Sequence, residues 1–230
     1  MTALPPTLVF DLDGTLVDTG ADLVAALNAV LATQDMAPVS LEAAVAMVGS
    51  GGRSLLRGAF AAEGKEVSPE RLETLFADYL AFYDDHLADE SRPFPGAVAA
   101  LDRFAGDGWL LAICTNKYEA SAKKLMKLIG LDDRFAAIAG QNTFAFCKPD
   151  GRHITETVRM AGGNPQDAIM VGDSITDVSA AKSAGLPVVA VDYGYSAVPV
   201  SELGATRIIS RLDQLHAEVA DIRHPCLGFT

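Results

Sequence analysis

From residue 96 onward the chain alternates between amphipathic stretches and short apolar runs, and no other feature limits its fold as tightly. Helix-period segments are expected at 96–106, 119–129, 151–161 and 175–184. Apolar runs at 109–114, 136–139, 168–172 and 187–191 follow them in turn, and a last one lies near 207–209. A strand that is apolar throughout must be covered on both faces, and a helix between successive strands favours parallel crossovers. One more run, Leu8-Val9-Phe10, predicts a strand over 7–11 near the start of the chain. The expected architecture is therefore α/β, a Rossmann-like parallel sheet flanked by helices.

Residues 18 to about 90 break this rhythm. Helices are predicted over 18–34, 41–48, 53–62 and 69–87. Asp18 or Thr19 can cap the first, Ser40 the second, and Pro69 sits in the first turn of the fourth. Leu72, Leu75, Phe76, Leu80 and Tyr83 form the apolar stripe of that last helix. The simplest organisation is one α/β core, residues 1–17 plus 91–230, interrupted by a helical insert over 18–90. An insert placed just after the first loop is expected to lie over the carboxyl edge of the sheet, where it can act as a lid. After Val219 the periodicity fades, and no role is expected for the tail.

The chain has 230 residues, half of them apolar, enough for one or two domains. Its net charge of −12 argues against nucleic-acid binding, which needs a basic footprint. An anionic substrate would then need a metal ion or locally gathered Lys and Arg. Cys114, Cys147 and Cys226 form no CxxC pair, and no basic-then-apolar leader opens the chain. A cytoplasmic, reducing location is expected. No apolar run reaches the roughly 18 residues that span a bilayer, so no membrane partner is expected. Both a monomer and a homodimer are compatible with this reading.

In an open parallel sheet, ligands bind beyond the carboxyl ends of the strands. Four polar clusters are expected at that edge. Asp11 and Asp13, with Gly14 and Thr15, follow the first strand. Thr115-Asn116-Lys117 follows Leu110–Cys114, and Gly172-Asp173-Ser174 with Asp177 follows Ala168–Val171. Lys148 precedes helix 151–161 and can enter from its loop. Two carboxylates this close are costly unless a cation or proton lies between them. A carboxylate nucleophile beside a hard cation outlines a phosphoryl-transfer site. Ser174 reads as a helix cap, since no histidine base is placed near it. Lys117 reads equally well as a surface residue, and His86, Lys65, Lys123, Lys124 and Lys127 read as solvated.

These clusters resemble the four signature motifs of the haloacid-dehalogenase-like hydrolases, and the insert stands where that family carries its helical, C1-type cap. The resemblance covers the whole core. It implies Asp11 as nucleophile, giving an aspartyl-phosphate, and Asp13 as acid and then base. It implies Mg²⁺ held by Asp11, the Asp13 backbone carbonyl and Asp173, with Asp177 behind the metal or behind Lys148. Thr115 and Asn116 would hold phosphoryl oxygens, and Lys148 would neutralise charge. An aspartate at position 13 argues against the dehalogenases of the family, whose reaction needs no such acid.

Several stretches are similar to the phosphoglycolate phosphatase group of this family: Phe10 to Asp18, Val48 to Leu55, Pro93-Phe94-Pro95-Gly96 and Thr115-Asn116-Lys117. That similarity implies hydrolysis of 2-phosphoglycolate, a small phosphorylated metabolite. The departure is Lys148-Pro149-Asp150, followed here by Gly151 and Arg152 where the group commonly carries a second proline. In the insert, Gly49-Ser50-Gly51-Gly52-Arg53 suits a small anion, with Gly51 amide donors and Arg53 pairing with a carboxylate. Other small phosphate esters or pyrophosphate, a β-phosphoglucomutase-like phosphomutase and a non-catalytic phosphate-binding module stay open at this point.

Overall fold

A computed structural model describes residues 4–48 and 51–224. In chain order, β1 (Thr7–Phe10) and β2 (Val17–Asp18) lead to four helices: α1 (Gly20–Ala32), α2 (Leu41–Val48), α3 (Gly52–Ala62) and α4 (Pro69–Asp85). The pair-forming β3 (Arg92–Pro93) then opens the alternating part: α5 (Ala97–Gly106), β4 (Leu110–Cys114), α6 (Glu119–Leu128), β5 (Ala137–Ala139) and α7 (Gly151–Met160). It continues as β6 (Ala168–Gly172), α8 (Ile175–Ala184), β7 (Val188–Val191), β8 (Arg207–Ile209) and α9 (Leu215–Arg223).

Six strands form one sheet in the order β5-β4-β1-β6-β7-β8, every pair parallel. β1 is central, with Val9 facing Ala112 of β4 on one side and Met170 of β6 on the other. The strand order reverses direction at β1, and this is where an open α/β sheet leaves a crevice at its carboxyl edge. Alternation along β1 sends Leu8 and Phe10 into one buried cluster and Val9 into another. Each such side chain, once fully buried, contributes roughly 1.5–3 kcal/mol.

Helices α1 to α4 pack on one another and share the larger cluster with the sheet, so core and helical cap region are joined by one apolar body. Ser68 caps α4 by accepting from Arg71 N–H, with Pro69 in the first turn. Ser40 Oγ accepts from Ala43 N–H at 3.2 Å. The first helix departs from expectation: it starts at Gly20, and its Thr19 N-cap makes no side-chain capping bond. Val17–Asp18 instead pairs antiparallel with Arg92–Pro93, and the Tyr195 hydroxyl accepts from Thr19 N–H at 2.8 Å and Gly20 N–H at 2.7 Å. At the tail, α9 docks Leu215 and Val219 into the core. Among the described residues no helix is long and apolar enough to cross a membrane. Cys226, Gly49 and Ser50 lie outside the described residues.

Candidate active site

The carboxyl ends of β1, β4 and β6 bring the expected clusters together. Asp11 follows β1 directly, with its N–H on Val171 O at 2.9 Å. The chain then turns back on itself, Leu16 and Val17 N–H both donating to Leu12 O. Gly14 makes this turn with φ +80°, and a Cβ there would come within 2.6 Å of Asp173 Oδ2. Glycine is thus required both for the backbone angle and for the close approach of two loops.

Lys148 is the electrostatic centre. Its Nζ lies 2.9 Å from Asp11 Oδ1 and 2.6 Å from Asp177 Oδ1, with 1% of its side chain exposed. Burial alone would lower its proton affinity, yet the two carboxylates raise it, so the ammonium stays charged. Its backbone is fixed too. Lys148 N–H donates to His153 Nδ1 at 3.2 Å, which leaves Nε2–H to donate to Gly140 O at 3.1 Å. Burial first, and then Lys148, push His153 down to about 4, so it is a neutral strut.

Asp177 belongs to the frame of this centre. Its Oδ2 accepts from Ser174 N–H at 3.0 Å and Ser174 Oγ at 2.6 Å, a capping box at the start of α8. Ser174 is therefore a cap, as expected. Of the two roles expected for Asp177, the structure supplies the hold on Lys148. Asp173 accepts from Thr15 Oγ1 at 2.9 Å and from Tyr195 N–H at 2.7 Å.

Asp11, Asp173 and Asp177 each bring a carboxylate oxygen within 4.8 Å of the others. Burial, and then Asp177, raise Asp11 to about 6. Burial, followed by Asp177 and Asp11, raises Asp173 to about 8. Packed, buried carboxylates that resist ionisation are a site built for a cation. An all-oxygen donor set suits a hard ion such as Mg²⁺. Asp177 is tied at one oxygen to the Lys148 ammonium and at the other to two Ser174 donors, whereas each Asp173 oxygen takes a single neutral donor, so Asp11 and Asp173 are the pair open to such an ion.

Asp13 is held by three neighbours. Lys117 Nζ approaches its two oxygens at 2.9 and 3.1 Å, and Thr19 Oγ1 donates to Oδ1 at 2.8 Å. Lys117 also donates to Tyr83 Oη of α4 at 2.7 Å and is nearly buried. The surface alternative for Lys117 is thereby overturned: the half-buried Asp13 carboxylate and the buried Tyr83 draw its ammonium inward. Thr115 accepts from Lys117 N–H at 3.2 Å, and its own hydroxyl proton remains to be donated. The Asn116 side chain donates to Lys148 O at 2.9 Å, so its backbone N–H is the donor it can offer an anion.

These groups line a cavity of about 430 Å³ whose other wall is the helical region, including Gly51, Gly52, Arg53, Phe76, Tyr79 and Tyr83. Gly51 is at the rim with φ +84°. Arg53 is not a free cation. Its Nε and Nη2 bond Glu73 at 2.8 and 2.7 Å, and its guanidinium stacks 3.8 Å above the Phe76 ring. Glu73 supplies the carboxylate that the sequence reading left to a ligand. His86 pairs with Asp89 at 2.7 Å on the outside.

Sequence reasoning missed Tyr195, Tyr83 and His153. The only available signals were an aromatic in the loop after β7, a polar atom on an apolar stripe, and a histidine five residues past Lys148.

Residues 8–191 match the model of the haloacid dehalogenase-like hydrolase family. A phosphoglycolate phosphatase of Mesorhizobium japonicum is 48% identical over 94% of this chain and 95% of its own length. One from Caulobacter vibrioides is 41% identical over 88% of this chain and 86% of its own. Among solved structures, a protein described as a predicted phosphoglycolate phosphatase from Haemophilus somnus superposes with TM-score 0.85 at 25% identity, covering 94% of this chain and 98% of that one. A predicted phosphatase from Clostridium acetobutylicum shares the fold, with TM-score 0.79 at 22% identity over 96% of this chain and all of that one.

Proposed function

The chain belongs to the haloacid dehalogenase-like hydrolases, and from that membership we propose that it is a Mg²⁺-dependent phosphomonoesterase whose preferred substrate is 2-phosphoglycolate. The observation that carries the reading is the Asp11–Lys148–Asp177 contact beside Asp173, at the one sheet edge that also presents Asp13 and Thr115.

Asp11 Oδ1 accepts from Leu12 N–H at 2.7 Å and faces Lys148, which leaves Oδ2 as the attacking oxygen. That oxygen bonds to phosphorus while the bond from phosphorus to the ester oxygen breaks. Asp13 donates a proton to the departing oxygen, and glycolate leaves. Asp13 then takes a proton from the water that attacks the acyl-phosphate, and inorganic phosphate is released with Asp11 restored. Lys117 and Thr19 hold Asp13 in place through both steps. Thr115 Oγ1 and Asn116 N–H hold phosphoryl oxygens, and Lys148 offsets the charge that gathers between nucleophile and phosphate. Asp11, the Asp13 backbone carbonyl and Asp173 would hold Mg²⁺, which would supply charge neutralisation and alignment of the phosphoryl group. Gly51 is the cap's contribution to substrate contact, while Arg53 stays paired with Glu73 behind it, with residues 18–90 as the cap.

Similarity to named phosphoglycolate phosphatases supports the choice of ester, and a cavity of about 430 Å³ suits a small one. The test is a Mg²⁺-supplemented panel of 2-phosphoglycolate, sugar phosphates and pyrophosphate, ranked by kcat/KM. The expected result is 2-phosphoglycolate first. Another ester ranked first would overturn the substrate, and binding without phosphate release would overturn catalysis.

A further inference from the structure

Two buried side-chain oxygens lack a hydrogen-bond partner among the described residues, Thr7 Oγ1 and the Tyr79 hydroxyl. Thr7 opens β1, outside the cavity wall. Tyr79 lines the cavity, at 2% exposure. A buried hydroxyl with no partner costs roughly 1–3 kcal/mol, so its retention at a ligand cavity calls for a reason.

The surroundings narrow the reason. Phe76, Tyr79 and Tyr83 rise along one face of α4, successive ring centroids 6.1 Å apart. Arg53 covers the Phe76 ring at one end, and Lys117 covers Tyr83 at 4.4 Å at the other. Tyr79 stands between two cations and touches neither. Its ring lies against the first turn of α3, where a Cβ on Gly52 would come within 2.8 Å of it. That turn, whose Gly51 and Gly52 line the cavity, carries the unpaired first amide N–H groups and the positive dipole end of a helix. Burial raises the phenol far above its ordinary range, so it stays protonated and available as a donor.

We propose that the Tyr79 hydroxyl is the hydrogen-bond donor that reads the carboxylate of the leaving group, and so sets the preference for a carboxylate-bearing ester. This rests on the reading of 2-phosphoglycolate as substrate and names the residue that selects it. A carboxylate here meets an unpaired donor beside a helix start, whereas an uncharged alkyl group leaves the hydroxyl unpaired.

Tyr79→Phe removes one oxygen and keeps the ring. Ethyl phosphate keeps the alkyl leaving group and lacks the carboxylate. The expected result is a fall of about tenfold to a hundredfold in the ratio of kcat/KM for 2-phosphoglycolate over ethyl phosphate, carried by KM. The melting temperature should hold steady or rise, because an unpaired buried oxygen has been removed. A preserved ratio overturns the assignment while leaving the substrate intact. A preserved ratio with a lowered melting temperature assigns Tyr79 to structure instead. If the unmodified protein hydrolyses ethyl phosphate and not 2-phosphoglycolate, the substrate reading falls and this assignment with it.

Discussion

Two carboxylates two residues apart do different work because their neighbours differ. Asp11 meets Lys148, which is locked by Asp177, while Asp13 meets Lys117 and Thr19. Asp11→Asn should therefore lower kcat by about four orders of magnitude or more, since no other nucleophile stands at that place. Phosphate release in the presence of Mg²⁺ measures this. Lys117→Met should act through Asp13. A poorly held acid matters most for an alkoxide leaving group, so kcat for 2-phosphoglycolate should fall about 10–100-fold. The loss for p-nitrophenyl phosphate should be much smaller, because its leaving group needs little protonation. Equal losses on both substrates would remove the link between Lys117 and the acid.

Among the elements, the strands were the most legible. β6 lies where its apolar run and flanking breakers place it, because a strand covered on both faces has to be apolar throughout, and α8 and the half-exposed edge strand β8 also keep their expected bounds. Asp11, Thr115 and Asp173 could be placed because each sits one residue past such a run. Tyr195 could not, since its partners Thr19 and Gly20 are about 175 positions away and only the closed sheet brings them together. The same holds for Asp22, whose carboxylate accepts from Ser91 N–H at 2.8 Å and Ser91 Oγ at 2.6 Å, tying the end of the helical region to its beginning. Tyr83 read correctly as a buried stripe residue, but periodicity carries no information on where a hydroxyl points. α9 was lost because its inner face is brief, with Leu215 and Val219 buried and Ile222 only partly so. The Tyr195 contact gives a prediction for this scale. Tyr195→Phe leaves Thr19 N–H unpaired and Gly20 N–H with only the long contact to Asp18 Oδ1 at 3.4 Å, at a cost of about 1–3 kcal/mol. Calorimetry should show a melting temperature lower by roughly 2–10 °C, and an unchanged value would mean that the strand pair alone holds the junction.

For the molecule as a whole, the buried carboxylates link folding to pH. Asp11 and Asp173 are raised from the ordinary 3.8 to about 6 and about 8. Over that interval the folded chain binds more protons than the unfolded one, so their contribution to metal-free stability falls as pH rises from about 4 to about 8. A cation that binds the ionised pair offsets this loss. The gain in melting temperature on adding Mg²⁺ should thus be small near pH 5 and grow toward pH 8, compared with samples in EDTA. A gain that does not depend on pH would place the cation elsewhere. Another consequence comes from the two-residue ladder of Val17–Asp18 against Arg92–Pro93. The polypeptide departs and comes home at one doorway, so everything between is a cassette whose exchange disturbs no strand of the six. Transplanting that cassette from a relative of different appetite, with Thr19 and Tyr83 kept so that Asp13 and Lys117 hold their places, should carry the donor's choice of ester across while the recipient's hydrolytic chemistry stays put.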